Sequence, residues 1–211
     1  KTGWYILFHL EILMSKKGSQ TRQKIVEKSL QLFSIKGYYN TSVNDILIAT
    51  QLTKGGLYGH FPSKEEIWYA VYAEAVKIWR SLVFSGIKDN SSPVARIEQI
   101  IENDIRNYLG GDVFEGGCFF LNMLVELSGQ SASMSKPILR GFVRFSRLMR
   151  KWLEEADRHG LLKPGLNYRD IANFIVISLN GAAALYTSSR DRDILNQTIG
   201  QLSFYLKQLK K

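Results

Sequence analysis

From Gln20 to the C-terminus, apolar residues recur every three or four positions, and no stretch alternates apolar and polar residues between hairpin turns. That period puts one apolar stripe on a helix and gives a strand nothing to bury. The chain therefore reads as all-α, with about nine helices. Val26, Leu30 and Phe33 stand at i, i+4 and i+7, and Gly37 follows as a stop. Ser42 and Asp45 have capping-box spacing ahead of "VNDILIAT", and Ser63 and Glu66 repeat it ahead of a long helix through Trp68, Val71, Ala75 and Trp79 to about Lys88. Pro93 opens another helix after the loop "DNSSP". A second loop, "LGGDVFEGG", precedes helices expected over 118–129, 135–159, 168–187 and 192–209.

The chain carries a net charge of +9, and the excess is local. Between Ser15 and Lys64 there are eight bases and two acids. A basic region of this kind favours polyanions. Within it lies "TKGGLYGHFPSKEE", residues 53–66, which places the poor helix formers Gly55 and Gly56 inside a helix of only about seven residues. Three short helices, a tight turn between the second and third, and basic charge point to a helix-turn-helix, whose third helix lies in the DNA major groove. Glycine then has a use, because bare backbone can approach phosphates and base edges closely. Thr53 is the expected N-cap, and its helix start presents free N–H groups to an anion. Leu57 and Phe61 are expected to pack beneath.

The stretch from Thr21 to Ile67 resembles the DNA-binding domain of the TetR family of transcriptional regulators. The matching positions are Leu32-Phe33, Gly37-Tyr38, Thr41-Ser42-Val43 and Asp45-Ile46, then Lys54-Gly55, Leu57-Tyr58 and Phe61-Pro62-Ser63-Lys64-Glu65-Glu66. The resemblance implies that the third helix reads DNA, that Tyr58, His60 and Lys64 touch phosphate, and that Thr41 is a phosphate-contacting cap. With Thr53, Lys54, Gly55 and Gly56 these form the expected DNA-binding set. The chain departs from the family pattern in four places. Gln51 stands at the usual turn glycine, Leu47 replaces a small residue, and Gly56 and Gly59 replace larger ones. Base readout is thereby thrown onto Thr53, Lys54 and the backbone.

The expected domains are 14–66 for DNA binding and 67–211 for ligand binding and dimerisation. "NFIVISLNGAAALY" (173–186) is apolar nearly all round and must be covered on all sides. The resemblance implies that the last two helices form a four-helix dimer interface, here with Phe174, Ile177, Gly181, Ala183, Leu202 and Leu206. It also implies an apolar effector pocket, for which Trp79, Phe119, Phe120, Met123, Phe145 and Phe174 are the candidates. "EGGCFFLNMLVEL" resembles the sixth-helix start of a TetR branch that includes the electrophile-sensing NemR repressor. Cys118 is the candidate sensor, with its thiol pKa lowered at a helix N-terminus, against the plainer reading of a small residue that starts a helix.

Together these observations describe a dimeric, ligand-responsive regulator, in the first place a repressor, that binds a pseudo-palindromic operator in double-stranded DNA and is released by a small apolar or aromatic effector. The alternative is a constitutive DNA-binding dimer. An enzyme is disfavoured, since neither a phosphate-binding glycine loop nor a triad motif is present, and three histidines with one cysteine show no metal-ligand spacing. No cofactor or metal is expected. A single cysteine and no secretory signature suggest the reducing cytoplasm, and no run is expected to be long enough to span a bilayer. "MSKK" from Met14 looks like a natural start. Residues 1–13 are read as upstream or foreign sequence, or otherwise as an extra amphipathic helix.

Overall fold

The computed structural model describes the backbone of residues 3–88 and 92–211 and the side chains from residue 18 onward. Among these residues the architecture is helical throughout, with nine α-helices and a π-helical segment. The chain divides into two compact units, Lys1–Val76 and Lys77–Lys211.

The first unit holds α1 (Gly3–Lys36), α2 (Val43–Thr50), α3 (Lys54–Tyr58) and the start of α4 (Lys64–Val83). The backbone of α1 is already helical at Gly3. Whether residues 1–13 are amphipathic, or foreign to the natural chain, lies outside the described side chains. Ile25, Val26, Leu30 and Phe33 of α1 are buried with Ile46, Leu57, Phe61, Trp68 and Val71. The capping box of α2 is complete. The Asp45 N–H donates to Ser42 Oγ at 3.0 Å, and the Ser42 N–H donates to the Asp45 carboxylate at 2.7 Å. α2 ends on Gln51 in the left-handed region, φ 57°. This is the turn where a glycine would be unstrained. α3 is shorter than its sequence suggested, since Gly59 ends it after five residues.

The second unit contains the end of α4, which stops at Val83 and not near Lys88. It continues through α5 (Pro93–Asn103), the π-helical segment Asp104–Leu109, α6 (Phe119–Leu127), α7 (Ala132–Arg158), α8 (Tyr168–Ser189) and α9 (Arg192–Leu209). Ser92 caps α5 by accepting from the Ala95 N–H at 3.2 Å. Asn103, buried, donates to the carbonyls of Val83 and Ser85 at 3.0 and 2.8 Å, which pins the end of α5 to the end of α4. α7 packs on α5, α6 and α8, and α9 packs on α5 and α8.

α8 corrects two expectations. By length and composition it is apolar enough to cross a membrane, contrary to the estimate that no run would be. Half of its circumference, including Ile171, Ile175, Leu179, Ala182 and Ala183, is buried inside the unit, as in the core helix of a folded protein. The other half, with Phe174, Ile177 and Leu185, is exposed. The expected interface set therefore splits. Ala183, Leu202 and Leu206 are buried within the single chain, because their positions face the other helices of the same unit. Phe174, Ile177 and Gly181 lie on the uncovered side, joined there by Leu185 and by Phe204 of α9. This side also carries a groove of about 520 Å³ lined by Phe174, Ser178, Leu185, Ile194 and Phe204.

Candidate functional site

Thr53 caps α3 as its sequence predicts, accepting from the Gly56 N–H at 3.2 Å. Leu57 and Phe61 are buried beneath, so a five-residue helix with two glycines is held by its anchors and not by its propensity. Lys54, Gly55, Gly56 and Tyr58 are exposed, and His60 is half-buried. A Cβ on Gly55 would meet nothing within 4 Å, and one on Gly56 would meet Thr53 Oγ1 at 3.4 Å, an ordinary contact. The packing of the chain does not require glycine at either position. The outer face of α3 is therefore a strip of open backbone flanked by Lys54 and Tyr58.

Of the expected phosphate contacts, Thr41 is turned inward and Lys64 is held by neighbours in its own unit. Thr41 is fully buried, and its hydroxyl donates to the Gly37 carbonyl at 2.7 Å. Ser42, one residue on, is the cap of α2. Thr41 is thus a packing residue with no face toward a ligand. The Lys64 ammonium donates to the Thr41 carbonyl at 2.7 Å and sits 4.2 Å above the centre of the Tyr38 ring. Its charge is engaged in joining α4 to the α1–α2 turn. Ser63 does cap α4, accepting from the Glu66 N–H at 3.1 Å. The sequence reading also passed over Arg22, whose guanidinium lies 4.5 Å above the Phe61 ring, and the Lys36–Asp45 ion pair at 3.1 Å. That ion pair and the two hydrogen bonds from Ser42 hold the Asp45 carboxyl down at about 2, the Ser42 bonds being the larger cause.

In the second unit, three of the residues named for the effector pocket, Trp79, Phe120 and Phe145, are in ring contact. The Trp79 ring is 5.1 Å from Phe145, 5.7 Å from Phe84 and 6.2 Å from Phe120. Phe119 contacts Phe120 at 5.7 Å, and Met123 is buried nearby on the same helix. Phe174 does not belong to this group. It is exposed on α8, with its ring 5.0 Å from Tyr205. The centre of the cluster was not anticipated. The Trp79 indole N–H donates to the buried Asp104 carboxylate at 2.9 Å. Burial pushes that carboxyl up to about 6, partly opposed by the indole hydrogen bond. Asp104 was legible in principle, since it falls between Ile100 and Tyr108 at four-residue spacing on the buried stripe.

Cys118 overturns its expectation. It stands at the start of α6, but it is buried, its side chain caps nothing, and the Tyr108 hydroxyl donates to its sulfur at 3.6 Å. Burial pushes the thiol up to about 11, so desolvation of the thiolate outweighs the help of the helix terminus.

The comparisons with known proteins agree with the architecture. Residues 25–71 match the family described as bacterial regulatory proteins, tetR family, and residues 93–202 match the tetracyclin repressor-like C-terminal domain. The chain is 32% identical over 176 residues to the HTH-type transcriptional repressor DhaR of Mycobacterium sp. (strain GP1), which covers 83% of this chain and 87% of that protein. A TetR transcriptional regulator from Chloroflexus aurantiacus J-10-FL superposes with a TM-score of 0.82 at 26% identity, over 92% of this chain and 98% of that one. Reduced E. coli NemR superposes with a TM-score of 0.72 at 20% identity, over 91% and 97% of the two chains, which is a likeness of fold alone. The helix-turn-helix in the first unit and the helical second unit agree with these matches along most of the chain, and the protein belongs to the TetR family of DNA-binding, non-enzymatic transcriptional regulators.

Proposed function

We propose that the protein is a ligand-responsive repressor acting in the cytoplasm, with residues 14–66 binding DNA and residues 67–211 sensing an effector and dimerising. The observation that carries the DNA-binding half is the open backbone face of α3, with Thr53, Lys54, Gly55, Gly56 and Tyr58 exposed around it. Lys54 and the free N–H groups of the helix start would meet phosphate or base edges, and the bare glycines would let the backbone approach them. His60 would lie at the rim. Support for repression comes from the relative named as a repressor.

The uncovered face of α8 and α9 is the surface that a second copy would close, through Phe174, Ile177, Leu185 and Phe204. Two reading helices related by a two-fold axis would then select a pseudo-palindrome. The aromatic cluster around Trp79 is the effector site in this reading. A ligand releases DNA only if it binds the non-DNA-binding arrangement better, with a reciprocal coupling of about 1–3 kcal/mol.

The test is fluorescence anisotropy of the full chain with random DNA and with DNA flanking its own gene, at two salt concentrations. Tighter binding to a palindromic segment than to random DNA, weakened by a ligand of the second unit, is the expected result. Equal affinity for all sequences would remove the operator from the proposal. Operator binding that no ligand changes would leave a constitutive DNA-binding dimer.

A further inference from the structure

Asp104 is out of place as a purely structural residue. It opens the π-helical segment and is only 7% exposed. Its carboxylate accepts from the Trp79 indole at 2.9 Å, and no ion pair to it is found among the described residues. An asparagine oxygen would accept that bond equally well without bringing a charge into an apolar site. A buried carboxylate is costly when unpaired and becomes favourable when a cation is placed beside it. The surroundings suit a cation too. Trp79 makes edge contacts with Phe84, Phe120 and Phe145. Trp79, Phe84 and Phe120 are each half-buried, so the aromatic group reaches the surface, whereas Asp104 is buried. Indole and phenyl faces attract ammonium groups, most strongly where water is excluded. π-Helical turns also recur at functional sites.

We infer that Asp104 is the recognition group for a cationic effector, a monovalent organic ammonium with an aromatic or apolar body, whose charge pairs with the Asp104 carboxylate and whose body rests on Trp79, Phe84 and Phe120. The inference rests on the reading of the second unit as the sensing unit, and it narrows the chemistry of that same site. Asn103 supports it by anchoring the residue before Asp104 to the end of α4, which fixes where the carboxylate stands relative to Trp79.

The probes are phenyltrimethylammonium and its neutral isostere tert-butylbenzene, which differ in charge at nearly constant shape. Titration of the full chain, followed by ligand-observed NMR, should show wild type binding the cation at least tenfold more tightly than the isostere. Asp104→Asn, which keeps an oxygen for the indole, should bind the two alike through a loss of at least tenfold for the cation. Equal binding of the two probes by wild type overturns the inference without any variant, as does a charge preference that survives in Asp104→Asn. Operator anisotropy with the same probes separates the two readings. Asp104-dependent cation binding that leaves operator affinity unchanged supports the cation site and defeats the sensing role. Release of operator by the neutral isostere and not by the cation supports sensing and defeats the cation site.

Discussion

Lys64 Nζ and the Thr41 carbonyl stand 2.7 Å apart, and this bond ties the first turn of α4 to the residue preceding the cap of α2. A lysine held in this way supports the reading head from within. Lys64→Ala should cost about 1.5–3 kcal/mol, the usual range for a hydrogen bond to a charged group, visible as a lower midpoint in urea unfolding. Lys54→Ala should leave stability nearly unchanged and flatten the salt slope of DNA binding by about one unit. A larger change of slope for Lys64→Ala than for Lys54→Ala would show that Lys64 reaches phosphate after all.

Gly55 separates stability from recognition. Alanine there meets no neighbour, and it should stabilise the helix by about 0.5–1 kcal/mol. The same methyl would hold DNA away from the backbone. Gly55→Ala is therefore expected to melt higher and to bind operator more weakly. Operator affinity equal to wild type would rule out close backbone approach at this position.

Gln51 holds φ at 57° where a side chain is strained. Gln51→Gly should relieve that strain and stabilise the first unit by about 1 kcal/mol, as far as the entropy of glycine in the unfolded chain allows. Thermal melting of the two proteins side by side measures it.

Asp104 makes stability depend on pH in an unusual direction for a carboxyl. The folded value of about 6 lies above the unfolded one, so the fold favours the protonated form. The stability gained is complete below about pH 4 and is lost as pH rises through about 6. Tyr108 and Cys118, the titratable groups coupled to it, are themselves pushed upward and stay neutral across that window. Asp104→Asn should therefore be more stable than wild type at pH 7.5 by up to about 3 kcal/mol, from a shift of roughly two units. The advantage should shrink toward pH 4. A constant difference across this range would mean that Asp104 does not titrate as argued.

The two sides of α8 predict different failures. Ile177 is 68% exposed, so Ile177→Glu should give a folded chain that sediments as a monomer and loses operator binding. Ala183 is buried, and Ala183→Arg should instead unfold the second unit. Circular dichroism with analytical ultracentrifugation separates the outcomes.

Helix boundaries were largely readable because caps and stops are local chemistry. Ser42, Thr53 and Ser63 each accept from the backbone N–H three residues on, at the positions their spacing implied. What escaped the sequence depends on neighbours distant along the chain. Thr41 turns inward because Gly37 offers a carbonyl, and Lys64 turns toward Tyr38 from more than twenty residues away. Cys118 looked like a helix-terminal thiol until its burial under Tyr108 was known. The apolar run of α8 hid which half would face its own unit, since the exposed half carries Phe174, Ile177 and Leu185 alongside its polar residues. The π-helical turn left no local signature beyond one acid on an apolar stripe.

The exposed half of α8 also bears on dosage. If a second copy must cover it before two half-sites can be read, then at low abundance the DNA-competent species grows with the square of the number of chains. A modest change in expression then produces a larger change in promoter occupancy, so the steepness of regulation would be set partly by Phe174, Ile177, Leu185 and Phe204, residues that touch neither DNA nor effector in this reading.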